Sequence, residues 1–341
     1  MVLCAALTLN IFSELAFTSY YSVYDIYNYL GHVLKIIAYF LMFRVIFIHN
    51  VRKPYIELAD ARDELMEHAG NQDRIVEQRT RQVRIMNEKL LNDLEYARDI
   101  QKAMLPVALP KAEHVSFSAR YFPAERVSGD FYNAFAIDDR YMGLYVGDVS
   151  GHGVPAAMLA IFLNQCIQNE RESYEKMTNH ITYPSIVLNK IYESFNNTNF
   201  NEELYIVLIY GIYDMKTGIL TYASAGLNTF PLLLDGGGGL SEIPLKGFPI
   251  CKSLEYCDIE FHDETIQLNR GDRILFYTDG LVEVKNEMGE RISEHSLKGA
   301  LANNKGLDAE EISDLIVHRL FDHMDMSMLN DDITFLVMEV N

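Results

Sequence analysis

Tyr141-Met142-Gly143-Leu144-Tyr145-Val146-Gly147-Asp148-Val149-Ser150-Gly151-His152-Gly153-Val154-Pro155-Ala156-Ala157 holds, in order, an apolar run, an aspartate at its end, a glycine-rich turn and a proline that opens a helix. The run Met142 to Val146 predicts a strand over 141–148, and Pro155 is placed as a first-turn residue of a helix over 155–172. A carboxylate at a strand end recurs twice more. Ile274 to Tyr277 leads into Thr278-Asp279-Gly280, and Asn330-Asp331-Asp332 leads into Ile333 to Val340. Ser128-Gly129-Asp130-Phe131 is a fourth acidic motif. Strand ends can converge, and carboxylates brought together raise one another's pKa unless hard divalent cations with oxygen ligands and water neutralise them. The four motifs read as one metal site, from which metal-assisted hydrolysis follows.

Outward from that stretch, short runs rich in Val, Ile, Tyr and Phe predict strands at 116–122, 130–137, 204–213, 219–224, 230–234, 258–267, 272–278 and 332–339. Helical spacing falls at 155–172, 184–198 and 308–324. Strands in clusters with helices grouped between them predict an α+β layered domain with antiparallel sheets. Asp214 to Gly218 has the composition of a hairpin turn. Gly236 to Gly239 precedes no GK[ST] and no helix start, so it reads as a surface connection between strands and not as a phosphate loop.

The front of the chain is of another kind. Residues 1–20 carry Glu14 as their only charge, and 33–48 are apolar apart from Lys35 and Arg44. Each approaches the roughly 20 residues that a membrane-crossing helix needs. Two transmembrane helices are expected, against a signal peptide, for which 1–20 lacks a basic start and a cleavage site, and against a buried soluble hairpin. Arg52-Lys53 directly after the second span places the remainder in the cytoplasm. Residues 55–104 hold no Pro and one Gly. Seven-residue steps join Leu58 to Leu65 and Val83, Leu90 and Ala97, while Gln72 and Arg79 interrupt the seam; a helical stalk forming a weak parallel homodimer is expected, with a solvated single helix as the alternative. The division is 1–50, a membrane part; 51–110, a coiled-coil linker; and 111–341, a catalytic domain.

The net charge is −19, of which about −18 falls on residues 106–341, so nucleic acid is excluded as a partner: phosphate backbones need basic clusters. Cys4, Cys166, Cys251 and Cys257 show no CxxC spacing and read as reduced thiols, without disulfide or zinc.

Taken in order, Ala97-Arg98-Asp99-Ile100-Gln101-Lys102-Ala103-Met104-Leu105-Pro106, Ser128-Gly129-Asp130-Phe131-Tyr132, Gly147-Asp148-Val149-Ser150-Gly151-His152-Gly153, Tyr277-Thr278-Asp279-Gly280 and Asp331-Asp332-Ile333-Thr334 resemble the SpoIIE-type branch of the PPM (type 2C) metal-dependent serine/threonine protein phosphatases. The resemblance implies an α-β-β-α sandwich with two antiparallel sheets. It implies that Asp148 bridges two Mn or Mg ions, that the Val149 carbonyl is a further ligand, and that Asp279 and Asp331 hold one ion. Asp130 completes the site directly or through water, and Asp331 is preferred over Asp332. The chemistry implied is in-line attack of activated water on phosphorus, without a phosphoenzyme. Asp148 and Asp130 are the candidate catalytic residues. His152 is either a general acid or a structural residue of its turn, and Arg126 either grips phosphate or makes an ordinary ion pair.

Three positions depart from the family pattern: Leu227 within Ala225-Gly226-Leu227-Asn228, where AGHN is usual, Asn133 after the first motif, and Cys251 where PLG is common. They keep open a catalytically silent pseudophosphatase that binds a phosphorylated partner; a hydrolase of small phosphate esters lacks any nucleotide motif. Tyr24 to Ile36 and Arg52-Lys53-Pro54-Tyr55 resemble the closing portion of a bacterial membrane-associated sensor domain, which implies a longer receptor and the bacterial inner membrane as location. His32 in this segment is a ligand candidate or an interfacial helix-end histidine. The implied substrate is a phosphorylated STAS-domain regulator of the anti-anti-sigma type, with the stalk repositioning the helical pair in 155–200.

Overall fold

The computed structural model describes residues 1–19, 21–176, 183–252, 259–285, 294–304, 306–323 and 329–341. The chain divides into two units, Met1–Glu88 and Lys89–Asn341.

In the first unit, α1 (Val2–Thr18) packs on α2 (Ile26–Phe47). Small and polar groups hold the pair. Ser13 Oγ donates to the Gly31 carbonyl at 2.7 Å, and a Cβ at Gly31 would meet the Phe17 ring at 2.8 Å, so glycine lets that ring lie close against α2. Lys35 Nζ donates to Glu14 Oε1 at 2.8 Å. Asp25 caps α2, accepting from Tyr27 N–H at 3.2 Å, which is why that helix begins earlier than the expected span 33–48. The helix α2, 22 residues long, is long and apolar enough to cross a bilayer. With 17 residues, α1 is shorter. A π-helical turn, Ile48–Arg52, joins α2 to α3 (Lys53–Met104), whose apolar side chains Leu58, Leu65, Val83 and Leu90 are all exposed.

The second unit is built on strands that are buried nearly throughout their length. It contains β1 (Val115–Phe122), β2 (Phe131–Ala136), β3 (Tyr141–Val149), α4 (Val154–Lys176), α5 (Pro184–Asn196), β4 (Tyr205–Asp214), β5 (Ile219–Ala225), β6 (Leu232–Leu234), β7 (Leu240–Glu242), β8 (Ile250–Cys251), β9 (Glu264–Gln267), β10 (Arg273–Tyr277), α6 (Gly280–Glu283), α7 (Glu294–Asn303), α8 (Ala309–His323) and β11 (Ile333–Val340). One sheet runs β1-β11-β10-β6-β7 and the other β2-β3-β4-β5-β9, with β8 on β4. The strand pairings are antiparallel.

Along β11, Leu336, Met338 and Val340 enter the core between the sheets, while Phe335 and Val337 face α7 and α8. Along β3, Leu144 and Val146 enter the same inter-sheet core, while Tyr145 and Val149 face α4 and α5. Each sheet is therefore apolar on both faces, and a helical layer covers each outer face. The result is the expected α-β-β-α sandwich.

Three local differences have physical causes. The expected strand 258–267 begins only at Glu264. Phe261 is buried against the α4 and α5 layer, and Asp263 accepts from Ser185 N–H and Oγ at the start of α5, so this segment is held by a helix end and not by a neighbouring strand. The short strands β7 and β8 escape the sequence pattern because two or three residues show no period. The glycine run turns between β6 and β7, with Asp235 N–H donating to the Gly239 carbonyl. Cys4, Cys166 and Cys251 are free thiols, and Cys257 lies outside the described residues.

Gly147 shows how tightly the strand bearing Asp148 is packed. A Cβ there would stand 2.6 Å from Leu208 Cβ and 2.7 Å from the Val207 carbonyl oxygen, on the adjacent strand β4. At Gly143 the nearest atoms belong to the rotatable Phe135 ring. Gly147→Ala should cost about 1–3 kcal/mol of stability, and Gly143→Ala less, when thermal or denaturant midpoints of the two variants are compared.

Candidate metal centre

Antiparallel register decides which residues meet. Phe131 faces Gly147 across β2 and β3, so Asp130, just before β2, and Asp148, near the end of β3, reach the same edge. Tyr277 faces Phe335 across β10 and β11, which brings Asp279, beyond β10, and Asp331, before β11, to an edge of the other sheet. Both edges lie at one end of the sandwich. Asp148 is within electrostatic reach of Asp130, Asp279 and Asp331.

Two glycines clear the space between these loops. A Cβ at Gly129 would stand 2.9 Å from the Val149 carbonyl oxygen and 3.3 Å from Asp148 Oδ1. One at Gly280 would stand 1.9 Å from the Asp332 carbonyl oxygen. The Ser-Gly-Asp and Thr-Asp-Gly motifs thus carry glycine where two backbones come close. The first contact also places the Val149 carbonyl beside the Asp148 carboxylate.

Like charge dominates the centre. Asp130 is 2% exposed, and burial, followed by the Asp148 charge, lifts its carboxyl well above the usual carboxylate range. Burial, followed by Asp279 and Asp331, lifts Asp148 to about 7. Asp331 stands at the solvent-facing rim, where partial desolvation, joined by Asp279, raises it as well. Among the described residues, no three His, Cys, Asp or Glu side chains close into a ready-made cage. The four carboxylates meet as repelling neighbours. Such a donor set, all oxygen with a backbone carbonyl at its edge, fits Mg or Mn and not a thiolate-bound zinc.

Sequence reasoning missed the groups that aim these carboxylates. Thr278 Oγ1 donates to Asp130 Oδ2 at 2.8 Å and accepts from Thr334 N–H at 3.1 Å, joining the two sheets at the site. Asn228 Nδ2 donates to Asp279 Oδ2 at 2.6 Å. Asp332, which is buried, accepts from Ala124 N–H and Gly129 N–H, each at 2.8 Å, so its oxygens pin the loop before Asp130 while Asp331 is the one facing Asp279. Thr278 and Asp332 sit inside motifs noticed for an aspartate, and Asn228 inside the stretch noticed for Leu227, which were the available signals.

His152 is exposed, with Nδ1 2.9 Å from Glu125 Oε1, an ion pair between two loops. Arg126 pairs with Glu95 at the end of α3. Of the departures, Leu227 is buried in the inter-sheet core, Asn133 is buried on β2, and Cys251 pairs with Tyr205 on β4. A cavity of about 90 Å³ opens beside Asp331, lined by Gly280, Glu283, Val284, Lys285, Leu329 and Asn330.

Residues 138–341 match the family described as Stage II sporulation protein E (SpoIIE). The chain belongs to the SpoIIE family. Residues 1–54 match a membrane-associated sensor domain, MASE3. Among relatives, protein IcfG of Synechocystis sp. is 27% identical over 270 residues, covering 73% of this chain and 42% of IcfG. Phosphoserine phosphatase RsbU of Bacillus subtilis is 26% identical over 259 residues, covering 75% of this chain and 72% of RsbU. This chain thus spans less than half the length of IcfG. The PP2C domain of SiaA from Pseudomonas aeruginosa superposes with a TM-score of 0.60 at 22% identity, covering 75% of this chain and 98% of that domain. The SpoIIE-family domain here therefore has the PP2C fold, as its motifs implied.

The raised carboxyls fix a pH dependence. Asp148 moves from 3.8 to about 7 on folding, so the native state binds more protons than the unfolded chain between those values. The contribution to stability is full below the unfolded pKa and is lost as pH rises through the folded one. The metal-free thermal midpoint should fall as pH rises from about 4 to about 7, and Asp148→Asn should flatten that slope and raise the midpoint at the upper end.

Proposed function

We propose that this chain is a membrane-associated signalling phosphatase that hydrolyses phosphoserine or phosphothreonine on a regulatory protein. The observation that carries this is the convergence of Asp130, Asp148, Asp279 and Asp331, with Asp148 raised to about 7, in a SpoIIE-family domain. Asp148, the Val149 carbonyl, Asp279 and Asp331 would hold two divalent cations, with Asp130 completing the site directly or through water. Such cations, Mn or Mg, supply positive charge that activates water and neutralises phosphoryl oxygens in an in-line displacement.

The protein's own part is to fix the oxygens. Thr278 holds one Asp130 oxygen by donation and leaves the other for the site. Asn228 does the same for Asp279. Oriented ligands of this kind raise affinity for a cation and reduce the reorganisation needed when substrate arrives. The cavity beside Asp331 is the adjoining space through which a phosphorylated side chain would enter.

The finer reading follows from three further supports. The apolar α2, the MASE3 match and Arg52-Lys53 support an anchor in the bacterial cell membrane with residues 51–341 in the cytoplasm. The exposed Leu58, Leu65, Val83 and Leu90 on α3 support a homodimer through the stalk. The likeness to RsbU, itself named a phosphoserine phosphatase, supports a phosphorylated regulatory protein of STAS type as substrate. In this organisation 1–50 is the membrane part, 51–110 the linker and 111–341 the catalytic domain. The silent-binder alternative draws on Leu227, Asn133 and Cys251, which are placed in the core and on a strand and remove no carboxylate of the centre.

The test is phosphate release from phosphoserine proteins, including a phosphorylated STAS domain, by the full chain in lipid nanodiscs. Release that requires Mn and falls at least about 100-fold in Asp148→Asn is the expected outcome. Tight phosphoprotein binding without release would favour the silent binder.

A further inference from the structure

The helix α3 has 52 residues, and the one among them that is buried is a glutamine. A polar side chain is the least expected to be buried on a helix where Leu58, Leu65, Val83 and Leu90 are exposed, so its partners identify its purpose. Gln101 is 6% exposed. Its Nε2 donates to the Ser128 carbonyl at 2.6 Å, and its Oε1 accepts from Ser128 N–H at 3.0 Å. One side-chain amide thus satisfies both backbone groups of one fully buried residue. Ser128 is two residues from Asp130 and holds it directly, Ser128 Oγ accepting from Asp130 N–H at 3.0 Å. Gln101, Met104 and Asn164 share a cavity of about 20 Å³ with Asp130.

Three contacts therefore fix the turn that presents Asp130. Thr278 holds its carboxylate and Asp332 holds Gly129 N–H, both from loops of the sandwich. The third, Gln101, comes from the end of the stalk helix. We infer that Gln101 is a positioning residue for the metal centre: docking of the last turns of α3 sets the Ser128-Gly129-Asp130 turn in its cation-holding position. The inference rests on the metal reading above and adds a route by which the stalk reaches the site through this turn, apart from the α4 and α5 pair.

The physics of the link is simple. When the helix end moves away, Ser128 N–H and C=O lose their partner inside a buried turn, and the turn must rearrange to find others. Asp130 moves with it. Linkage makes the effect reciprocal: whatever stabilises Asp130 in place, a bound cation included, also stabilises docking of residues 95–104. Arg126, which pairs with Glu95, and Asn164 Nδ2, which donates to the Met104 carbonyl at 3.0 Å, hold the same helix end without touching Ser128.

The experiment is Mn titration by calorimetry on the full chain in nanodiscs, with the thermal midpoint recorded for each variant. Gln101→Met keeps the volume and removes both hydrogen bonds; Mn affinity should fall about 10-fold, with phosphate release recovering at saturating Mn. Gln101→Glu keeps the acceptor for Ser128 N–H but sets a second acceptor oxygen against the Ser128 carbonyl, so its Mn affinity should fall as well; it serves alone if Gln101→Met does not fold. Asn164→Ala removes the bond to the Met104 carbonyl and the acceptor of the Tyr145 hydroxyl, touches neither Ser128 nor Asp130 by hydrogen bond, and should lower the midpoint while leaving Mn affinity within about 2-fold. Unchanged Mn affinity in the Gln101 variants, or an equal loss in Asn164→Ala, overturns the positioning role alone. A wild-type chain that binds no Mn overturns the metal reading and this inference together.

Discussion

Asp148 stands against Asp130, Asp279 and Asp331 at one end of two packed sheets, and that repulsion is the constraint around which the domain is organised. Folding gathers four carboxylates that would separate in water, and burial removes the solvent that would screen them. The compensation comes from elsewhere in the sandwich. The inter-sheet core of Leu144, Val146, Phe276, Leu336 and Met338 holds the strands whose ends bear the acids, so apolar burial offsets charge placed for function. The raised carboxyl of Asp148 is the trace of this conflict in the protein without a cation.

Geometry at the centre depends on backbone proximity as much as on acids. Gly129 and Gly280 let loops from different strands approach, and Thr278, Asn228 and Asp332 then fix the oxygens by hydrogen bonds. Asp332 illustrates the division of labour. It is adjacent to Asp331 and chemically identical, yet its carboxylate accepts from two backbone amides, and that structural duty leaves the neighbour to face the site.

The parts legible in the sequence are those with a period or a charge. Apolar runs along β3, β10 and β11 revealed strands, and the aspartates at their ends marked a candidate site, because both signals are local. What stayed hidden depends on partners distant in the chain. Asn228 is 51 residues from Asp279, and Gln101 is 27 from Ser128; nothing in a helix of alternating charges distinguishes Gln101 until the fold buries it. Asp263 delays the start of β9 by bonding Ser185, a contact invisible to propensity. The two-residue β8 exists because Ile250 and Cys251 pair with β4, not because of any preference of their own. The two apolar helices were legible by composition, but the start of α2 depended on Asp25 as a cap.

The central claim is that the four carboxylates together bind divalent cations. Anomalous diffraction from Mn-soaked crystals tests it most directly, because it locates the metal without reference to activity. The account predicts two peaks that share Asp148, one also contacting Asp279 and Asp331. Peaks absent from Asp148, or confined to surface carboxylates such as Glu310 and Asp314, would contradict it.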